Sequence, residues 1–531
     1  MTSYTGIVGV IHKEQKFWRL QMKRTQKNFL VMFLISLFLL TACGISDASH
    51  QEGAKETLTV AFPWSPPGLD PHQSGRNSWD VMRSGAGETL IKLDEMLQPV
   101  SWLAKSWEQE DENTWLFTIQ ENVLFHNATK LDAEAVKNSL ERSIELNPRA
   151  NDLLLIDTIE VLDEHKLKMT TVQSNSALIS HLADPSFIIV DVKTIDDKDA
   201  YPALTGAFSF KSFIKDESLT VERFDNYWGE KALLTEVTFN FISDGNTRLM
   251  SLQSGDADIA IDIPVDGISL IEQSSQLEIV TAPSLRTHLV LYNMNSPLLE
   301  KVEYRKMIDQ AIPRTDMVDS IMNGYGTVAN SAFSDVLPFG KIADPASIQS
   351  VETIMIQNDW EKNEQGIWEK EDRIFEVTML TFPQRPELSV MAEIIQAELA
   401  QEGIKVNIRQ VESIDDALAQ EDWDLSMYSM LTAHTGDPQY FLNIFYRENS
   451  SSNVSNYISK SLEGVIDQLN RTSDPDERIE LAFEAQTIIQ DDVPQSFVVH
   501  PETIFGINKN VDEFSAHPIE YYYIHPKITI K

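Results

Sequence analysis

Residues 375–411, FEVTMLTFPQRPELSVMAEIIQAELAQEGIKVNIRQV, hold the pattern that decides the fold. FEVTMLTF (375–382) reads as a strand. ELSVMAEIIQAELAQEG (387–403) carries Leu388, Met391, Ile395 and Leu399 three or four residues apart, the period that lays one apolar stripe along a helix. IKVNIRQV (404–411) returns to strand character. Strand, helix and strand of this length make a crossover unit, the connection that parallel neighbours require, so a mostly parallel sheet is expected here. DWDLSMYSML (422–431) adds a strand, and LTAHTGDPQYFL (431–442) begins at its C-terminal end, where open α/β sheets bind ligands.

The same mixture extends toward the N-terminus. LTVAF (58–62), WLFTI (115–119) and TEVTFNFI (235–242) read as strands, and AEAVKNSLERSIE (133–145) as a helix with Asp132 as its N-cap. NTRLMSLQSG (246–255) reads as a helix closed by Gly255 before the strand ADIAI, and HLVLYNM (288–294) opens the second half. No repeat of 20 to 50 residues is present. The 531 residues, 42% of them hydrophobic, suffice for the cores of two or three domains.

Forty-three Lys and Arg against 81 Asp and Glu give a net charge of −38, which repels nucleic acid phosphates and anionic lipid headgroups. Near the start, KNFLVMFLISLFLLTACG follows Lys23, Arg24 and Lys27 and ends on Leu40, Thr41, Ala42 and Cys43. A basic flank, a short apolar run and small residues at the break make a secretory signal; the run is shorter than the roughly 20 residues that span a bilayer. Met22 is then the more natural start than Met1. Cys43 is the only cysteine, so neither an internal disulfide nor a cysteine metal cage can form. Residues 1–43 carry six Lys and Arg and one Glu, so a chain trimmed there is near −43. GISDASHQEGAKE (44–56) has the small polar composition of a flexible tether.

No catalytic constellation is visible: GxSxG, HExxH and a phosphate-cradling glycine loop are missing, and no two histidines stand at i, i+4 on a helix. Binding is the expected function, without an enzyme activity.

PVSWLAKSWE (99–108), TWLFTIQENVLFHNATKLDAEAVKNSLER (114–142), FDNYWGEKALLTEVTFNFISDGNTRLMSLQSGDADIA (224–260), LYNMNSPLLEKVEYRKMIDQAI (291–312), GDPQYFLNIFY (436–446) and SNYISKSLEGVIDQLN (455–470) together resemble the extracytoplasmic solute-binding proteins of peptide and nickel ABC importers, family 5. The N-terminal stretch looks like a lipoprotein signal with Cys43 as the lipidated residue. The resemblance implies an α/β, two-lobed, three-domain fold of the periplasmic-binding-protein kind with mixed sheets and a hinge. It implies a signal region over 1–43, a tether over 44–57, lobe I over 58–284 plus 500–531 with an inserted domain at about 83–206, and lobe II over 285–499. Crossings near Leu285 and Pro501 would form the hinge. Trp107, Trp115, Tyr227, Trp228 and Asp256 are expected to pack and cap, identifying the fold rather than the ligand.

The resemblance also implies site residues. Arg385 matches an arginine that pairs with a ligand carboxylate in the dipeptide-binding branch, a role suited to a guanidinium fork; a solvated charge after a strand is the other reading. His434 stands where peptide binders carry an aspartate for the peptide ammonium, and at neutral pH it supplies no fixed negative charge. It is either a pocket residue, open to a metal, or a histidine satisfied by backbone. Arg149 lies where the nickel-binding branch has an arginine reaching the chelate's carboxylates, or is a loop charge. Trp64, Trp79 and Tyr440 are candidate walls or core. Thr432 and Gly436 occupy positions that are aromatic in the nickel-binding branch, Ser451 lies near that branch's histidine position, and Gln120 replaces a common arginine.

The resemblance implies a lipid-anchored, extracytoplasmic, monomeric receptor that delivers a small ligand to permease and ATPase subunits, with no resident cofactor; the negative charge argues against a nucleic-acid partner. The implied ligand is nickel, or a related divalent metal, held by a small organic chelator. A di- or oligopeptide is the alternative, and a peptide-sensing lipoprotein without transport is a third reading.

Overall fold

The strand Gln495–Asn508 joins the two halves of the molecule. Its first residues pair antiparallel with Arg286–Tyr292, and its last pair antiparallel with Leu277–Pro283 and Ile259–Ile261. The exchange of partners falls at Pro501, whose carbonyl accepts from Ser284 N. Twelve strands thereby form one continuous sheet. On one side of the shared strand run Arg286–Tyr292, Leu425–Leu431, Glu376–Thr381 and Lys405–Gln410; on the other run Ile259–Ile261, Thr57–Phe62, Glu236–Phe241, Ser218–Arg223 and Phe208–Ile214. This computed structural model describes residues 56–195, 200–343, 349–420, 422–450 and 452–531. Met1, Met22, the whole signal region with Cys43, the tether up to Lys55, and Ser451 lie outside the described residues.

The crossover unit forms as its periodicity requires. Glu376–Thr381 and Lys405–Gln410 pair in parallel, linked by the helix Pro386–Gln401 with proline in its first turn. Leu388, Met391, Ile395 and Leu399 are all buried, packed in one cluster with Val377, Met379, Val406 and Met427. Each such side chain contributes about 1.5–3 kcal/mol by leaving water. The expectation of a mostly parallel sheet is corrected: Arg286–Tyr292 pairs antiparallel on both sides, which makes the sheet mixed. The strand that returns from the C-terminal part runs against its neighbours, and an extended segment can do so without a crossover helix.

A separate four-stranded antiparallel sheet, Ala104–Asp111, Thr114–Ile119, Lys166–Thr171 and Ile156–Asp163, carries the helix Ala133–Leu146. Asp132 caps that helix by accepting from Ala135 N, and Gly255 ends Gly245–Ser254 with φ 81°, a conformation that costs glycine little. Tyr227 and Trp228 both donate to the buried carboxylate of Glu88, and Asp256 is exposed and accepts from Ser254 Oγ. Trp107 and Trp115 pack at the edge of the core, and Gln120 donates to the Trp102 carbonyl. No helix among the described residues is long and apolar enough to cross a membrane.

Candidate functional site

The strand Leu425–Leu431 ends in the turn Thr432–Gly436, which aims His434 back toward residues contributed by the first half of the chain. Thr432 Oγ1 donates to the Ala332 carbonyl at 2.6 Å, which ties down the start of the turn. Gly436 has φ 70°, and a Cβ there would stand 2.8 Å from the Leu97 carbonyl oxygen. An aromatic side chain at that position would be strained and obstructed, which is the physical reason for the departure noted in the sequence.

His434 is 2% exposed, and its Nε2 lies 3.2 Å from Asp184 Oδ2, too poorly aligned to hydrogen-bond. Its ring meets the Tyr440 ring edge-on with centroids 4.4 Å apart. Arg149, in the first turn of Pro148–Leu154, donates from Nη2 to the same Asp184 oxygen at 2.7 Å, and its guanidinium lies 4.9 Å from the Tyr440 ring and 5.7 Å from the Trp79 ring. Asp184 Oδ1 accepts from Ser186 N, so both carboxylate oxygens are engaged. Burial would raise the Asp184 pKa, but the Arg149 cation and His434 hold it well below the carboxylate range. Burial, reinforced by the Arg149 charge, pushes the His434 imidazole down to about 4, so it is neutral at physiological pH. Arg149, His434, Tyr440 and Trp79 thus form one cluster.

Trp64 and Arg385 are reached through a second network. Trp79 leans on Tyr521 at 6.0 Å, and the buried Arg83 lies 5.9 Å from Trp79 and 5.6 Å from Trp64. Arg83 Nη1 and Trp64 Nε1 both donate to Asp80 Oδ1, at 2.9 and 3.3 Å. Arg83 Nε donates to the Glu520 carbonyl, and the Glu520 carboxylate is gripped by Arg286 at 3.0 Å and by Ser284 Oγ at 2.5 Å. Burial would raise the Glu520 pKa, but Arg286, Ser284 and Arg385 together hold it down at about 2. Arg385, the N-cap of Pro386–Gln401, lies 3.5 Å from Glu387 Oε1, and His288 Nε2 approaches that oxygen at 3.7 Å.

Several buried polar atoms in these networks have no protein hydrogen-bond partner: Trp79 Nε1, Arg149 Nε, His288 Nε2, His434 Nε2, Thr435 Oγ1 and Tyr521 Oη. Leaving such an atom unpaired costs about 1–3 kcal/mol. Among the described residues no three His, Cys, Asp or Glu side chains converge as a metal cage. Two open surface depressions, one around Pro313 and Val328 and one around Asn240 and Met250, share no residue with the cluster. Sequence reading missed Asp184, Arg83, Arg286, Glu520 and Tyr521. Only Tyr521 had a signal, the run IEYYYIH (519–525) close to the C-terminus.

Residues 98–453 match the family described as bacterial extracellular solute-binding proteins, family 5 Middle. The nickel-binding protein NikA of Staphylococcus aureus is 28% identical over 511 residues, covering 94% of this chain and 99% of the relative. A crystal structure of NikA from that organism in complex with Ni(L-His)2 superposes with a TM-score of 0.79, covering 90% of this chain and all of that one. A nickel ABC transporter structure from Bacillus halodurans is 32% identical with a TM-score of 0.72, covering 89% and 100%. The glutathione-binding protein GsiB of Salmonella paratyphi A is 24% identical over 502 residues, covering 90% and 96%. With the family profile spanning most of its length, a two-lobed α/β fold and a polar cluster drawn from both halves, the chain belongs to the family 5 extracytoplasmic solute-binding proteins, the non-enzymatic binding components of ABC importers.

Proposed function

We propose that this protein captures nickel, or a related divalent metal, as a small carboxylate-bearing organic chelate and delivers it to an ABC permease and its ATPase. The observation that carries the reading is the neutral His434 beside the Arg149–Asp184 pair. Asp184 is already neutralised by Arg149 and accepts from backbone, so it is a poor counter-ion for a peptide ammonium. A neutral imidazole suits an open metal position, and Arg149 and Arg385 suit the carboxylates of a chelator. Trp64, Trp79 and Tyr440 would wall the site. The nickel-binding relatives, one of them in complex with Ni(L-His)2, support this reading.

A short peptide is the second reading, supported by Arg385 as a carboxylate partner and by the glutathione-binding relative. A receptor that senses peptides without transport would share the pocket, and adjacency to permease and ATPase genes separates it from an importer. The lobes are proposed to be 58–284 plus 500–531, with an inserted domain at about 83–206, and 285–499, moving about Leu285 and Pro501. The change of strand partners at Pro501 supports that hinge. Cys43 is proposed as the lipid anchor, and Cys43→Ala should abolish acyl labelling.

Calorimetry tests the ligand. Nickel with L-histidine should bind the wild type, and Arg385→Ala should weaken it by about 2–5 kcal/mol, the scale for breaking a desolvated charge-assisted pair. Tight binding of dipeptides with no response to nickel and histidine would overturn the chelate reading.

A further inference from the structure

The segment after the strand Lys166–Thr171 carries Ser176, and every hydrogen bond Ser176 makes among the described residues leaves its own half of the chain. Ser176 N donates to the Asn470 carbonyl at 3.4 Å. Its one hydroxyl proton has the Leu469 carbonyl at 3.2 Å, the Asn470 carbonyl at 3.4 Å and Gln439 Oε1 at 3.5 Å within reach, and its oxygen accepts from Arg478 Nη1. The neighbouring Asn175, 1% exposed, divides its amide between the two halves. Asn175 Nδ2 donates to the Leu153 and Leu154 carbonyls at 2.9 and 3.0 Å, while Oδ1 accepts from Gln439 Nε2 at 2.9 Å. Asn175 is the anchored part of this segment and Ser176 the part that reaches across.

The receiving side is built around Arg478, on the helix Pro475–Asp492. Its Nη1 donates to the Leu469 and Thr472 carbonyls at 2.7 and 2.9 Å, which satisfies the end of the helix Lys460–Arg471. Its Nη2 donates to both Asp437 oxygens, at 2.7 and 2.6 Å. Asp437 directly follows the turn Thr432–Gly436 that carries His434, and it accepts from Gln439 N at 2.8 Å. One guanidinium therefore fixes both the helix end that meets Ser176 and the turn that presents His434. All of these donors and acceptors belong to the chain, so the network is complete with no ligand atom in it. Asn175, Gln439, Asn470 and Arg478 are each at most 9% exposed, and hydrogen bonds shielded from water are electrostatically stronger than those in it.

We propose that Asn175 and Ser176 form a latch that engages Gln439, Leu469, Asn470 and Arg478 as the cleft closes, and that stabilises the closed form whatever the cleft holds. The latch rests on the reading of residues 83–206 as part of one lobe and 285–499 as the other. Ser176 suits a contact that is made and broken: parting the lobes costs it only the crossing bonds, and water replaces them on both sides. The apparent affinity of a ligand scales with the fraction of protein in the form that binds it. The latch therefore raises affinity for every ligand by one common factor, whereas Arg149, His434 and Arg385 choose among ligands.

The test uses the chain from Gly44 onward, which keeps every described residue, with Ser176→Ala, Ser176→Trp and the control Val172→Trp at a 62% exposed site on the same segment. Small-angle scattering without ligand reads the latch alone. The indole of Ser176→Trp must displace groups that stand 3.2–3.5 Å from Oγ, so its radius of gyration should exceed that of wild type. Ser176→Ala should raise the radius by less, and Val172→Trp should leave it unchanged. Equal radii for wild type, Ser176→Ala and Ser176→Trp overturn the latch, as does a rise that Val172→Trp shares. Circular dichroism checks folding, and Ser176→Ala, the loss of one oxygen, carries the test alone where Ser176→Trp does not fold. Calorimetry with nickel and L-histidine, and with a dipeptide panel, forms the second arm. Ser176→Ala should weaken each probe that wild type binds by the same factor, about tenfold, or about 1.4 kcal/mol. Unchanged affinity, or a loss confined to one ligand class, overturns the latch. A lowered urea midpoint with unchanged radius and affinity identifies a fixed domain contact and overturns it as well. If wild type ignores nickel with histidine but binds dipeptides, and Ser176→Ala weakens them tenfold, the latch stands and the nickel reading fails.

Discussion

Two of the buried arginine–carboxylate pairs among the described residues, Arg286–Glu520 and Arg149–Asp184, differ in how completely their surroundings are satisfied. Glu520 accepts two bonds from Arg286 and one from Ser284, while its backbone carbonyl accepts from Arg83. Asp184 is equally well served, but the groups around it are not: Arg149 Nε and Thr435 Oγ1 are buried without hydrogen-bond partners, and His434 Nε2 has only its 3.2 Å contact with Asp184. A saturated buried pair holds the chain in place. A pair surrounded by unpaired polar atoms is open to a further partner, and we propose that this difference marks the Arg149–Asp184 cluster as the ligand end of the molecule.

The largest effect should come from breaking the saturated pair. Arg286→Ala leaves Glu520 buried without its counter-ion and should cost about 3–5 kcal/mol of stability, read as a lowered urea midpoint. An unchanged midpoint would mean that Glu520 is scaffold in appearance only. At the unsaturated pair the balance should reverse. His434→Ala should weaken binding of nickel with L-histidine by tenfold or more while moving the urea midpoint little, because Arg149 still neutralises Asp184. His434→Asp should shift preference toward free-amine dipeptides and make their binding salt-sensitive, as a calorimetric panel would reveal.

Stability against pH gives a third measure with two signs. His72, His126, His434 and His500 are pushed down to about 4, first by burial, from an ordinary value near 6.5. The unfolded chain therefore binds more protons in that interval, so their contribution is complete above 6.5 and is lost as pH falls toward 4. Glu88 has the opposite sign: burial lifts its carboxyl to about 7 from 4.5, so the folded state loses stability as pH rises through that range. Four histidines outweigh one glutamate, and the urea midpoint should fall on acidification from 6.5 to 4. Glu88→Gln should steepen that fall by removing the opposing group. The smallest effect is expected at the exposed Arg409–Asp422 pair, where Asp422→Asn should leave the midpoint unmoved within error.

Much of the scaffold was legible because its causes are local. The spacing of Leu388, Met391, Ile395 and Leu399 dictates a helix with one buried face wherever a sheet is available, and all four are buried. Asp132 and Gly255 end their helices by backbone chemistry that extends only a few residues. His434 was marked by the turn that carries it, but its environment was not, because Asp184 is remote in sequence and belongs to the other half of the chain.

What the sequence by itself determined was therefore the set of elements, the two-lobed α/β family to which they belong and the chemical types available for a site. Tertiary structure alone decided which charges are spent on one another. Arg149 meets Asp184 across 35 residues, Arg286 meets Glu520 across 234, and Arg83 meets the Glu520 backbone across 437. Helix and strand periodicity arise from interactions over three or four residues, whereas a buried ion pair depends on two distant segments being brought together in a medium of low dielectric, and its partner leaves no trace in the local pattern.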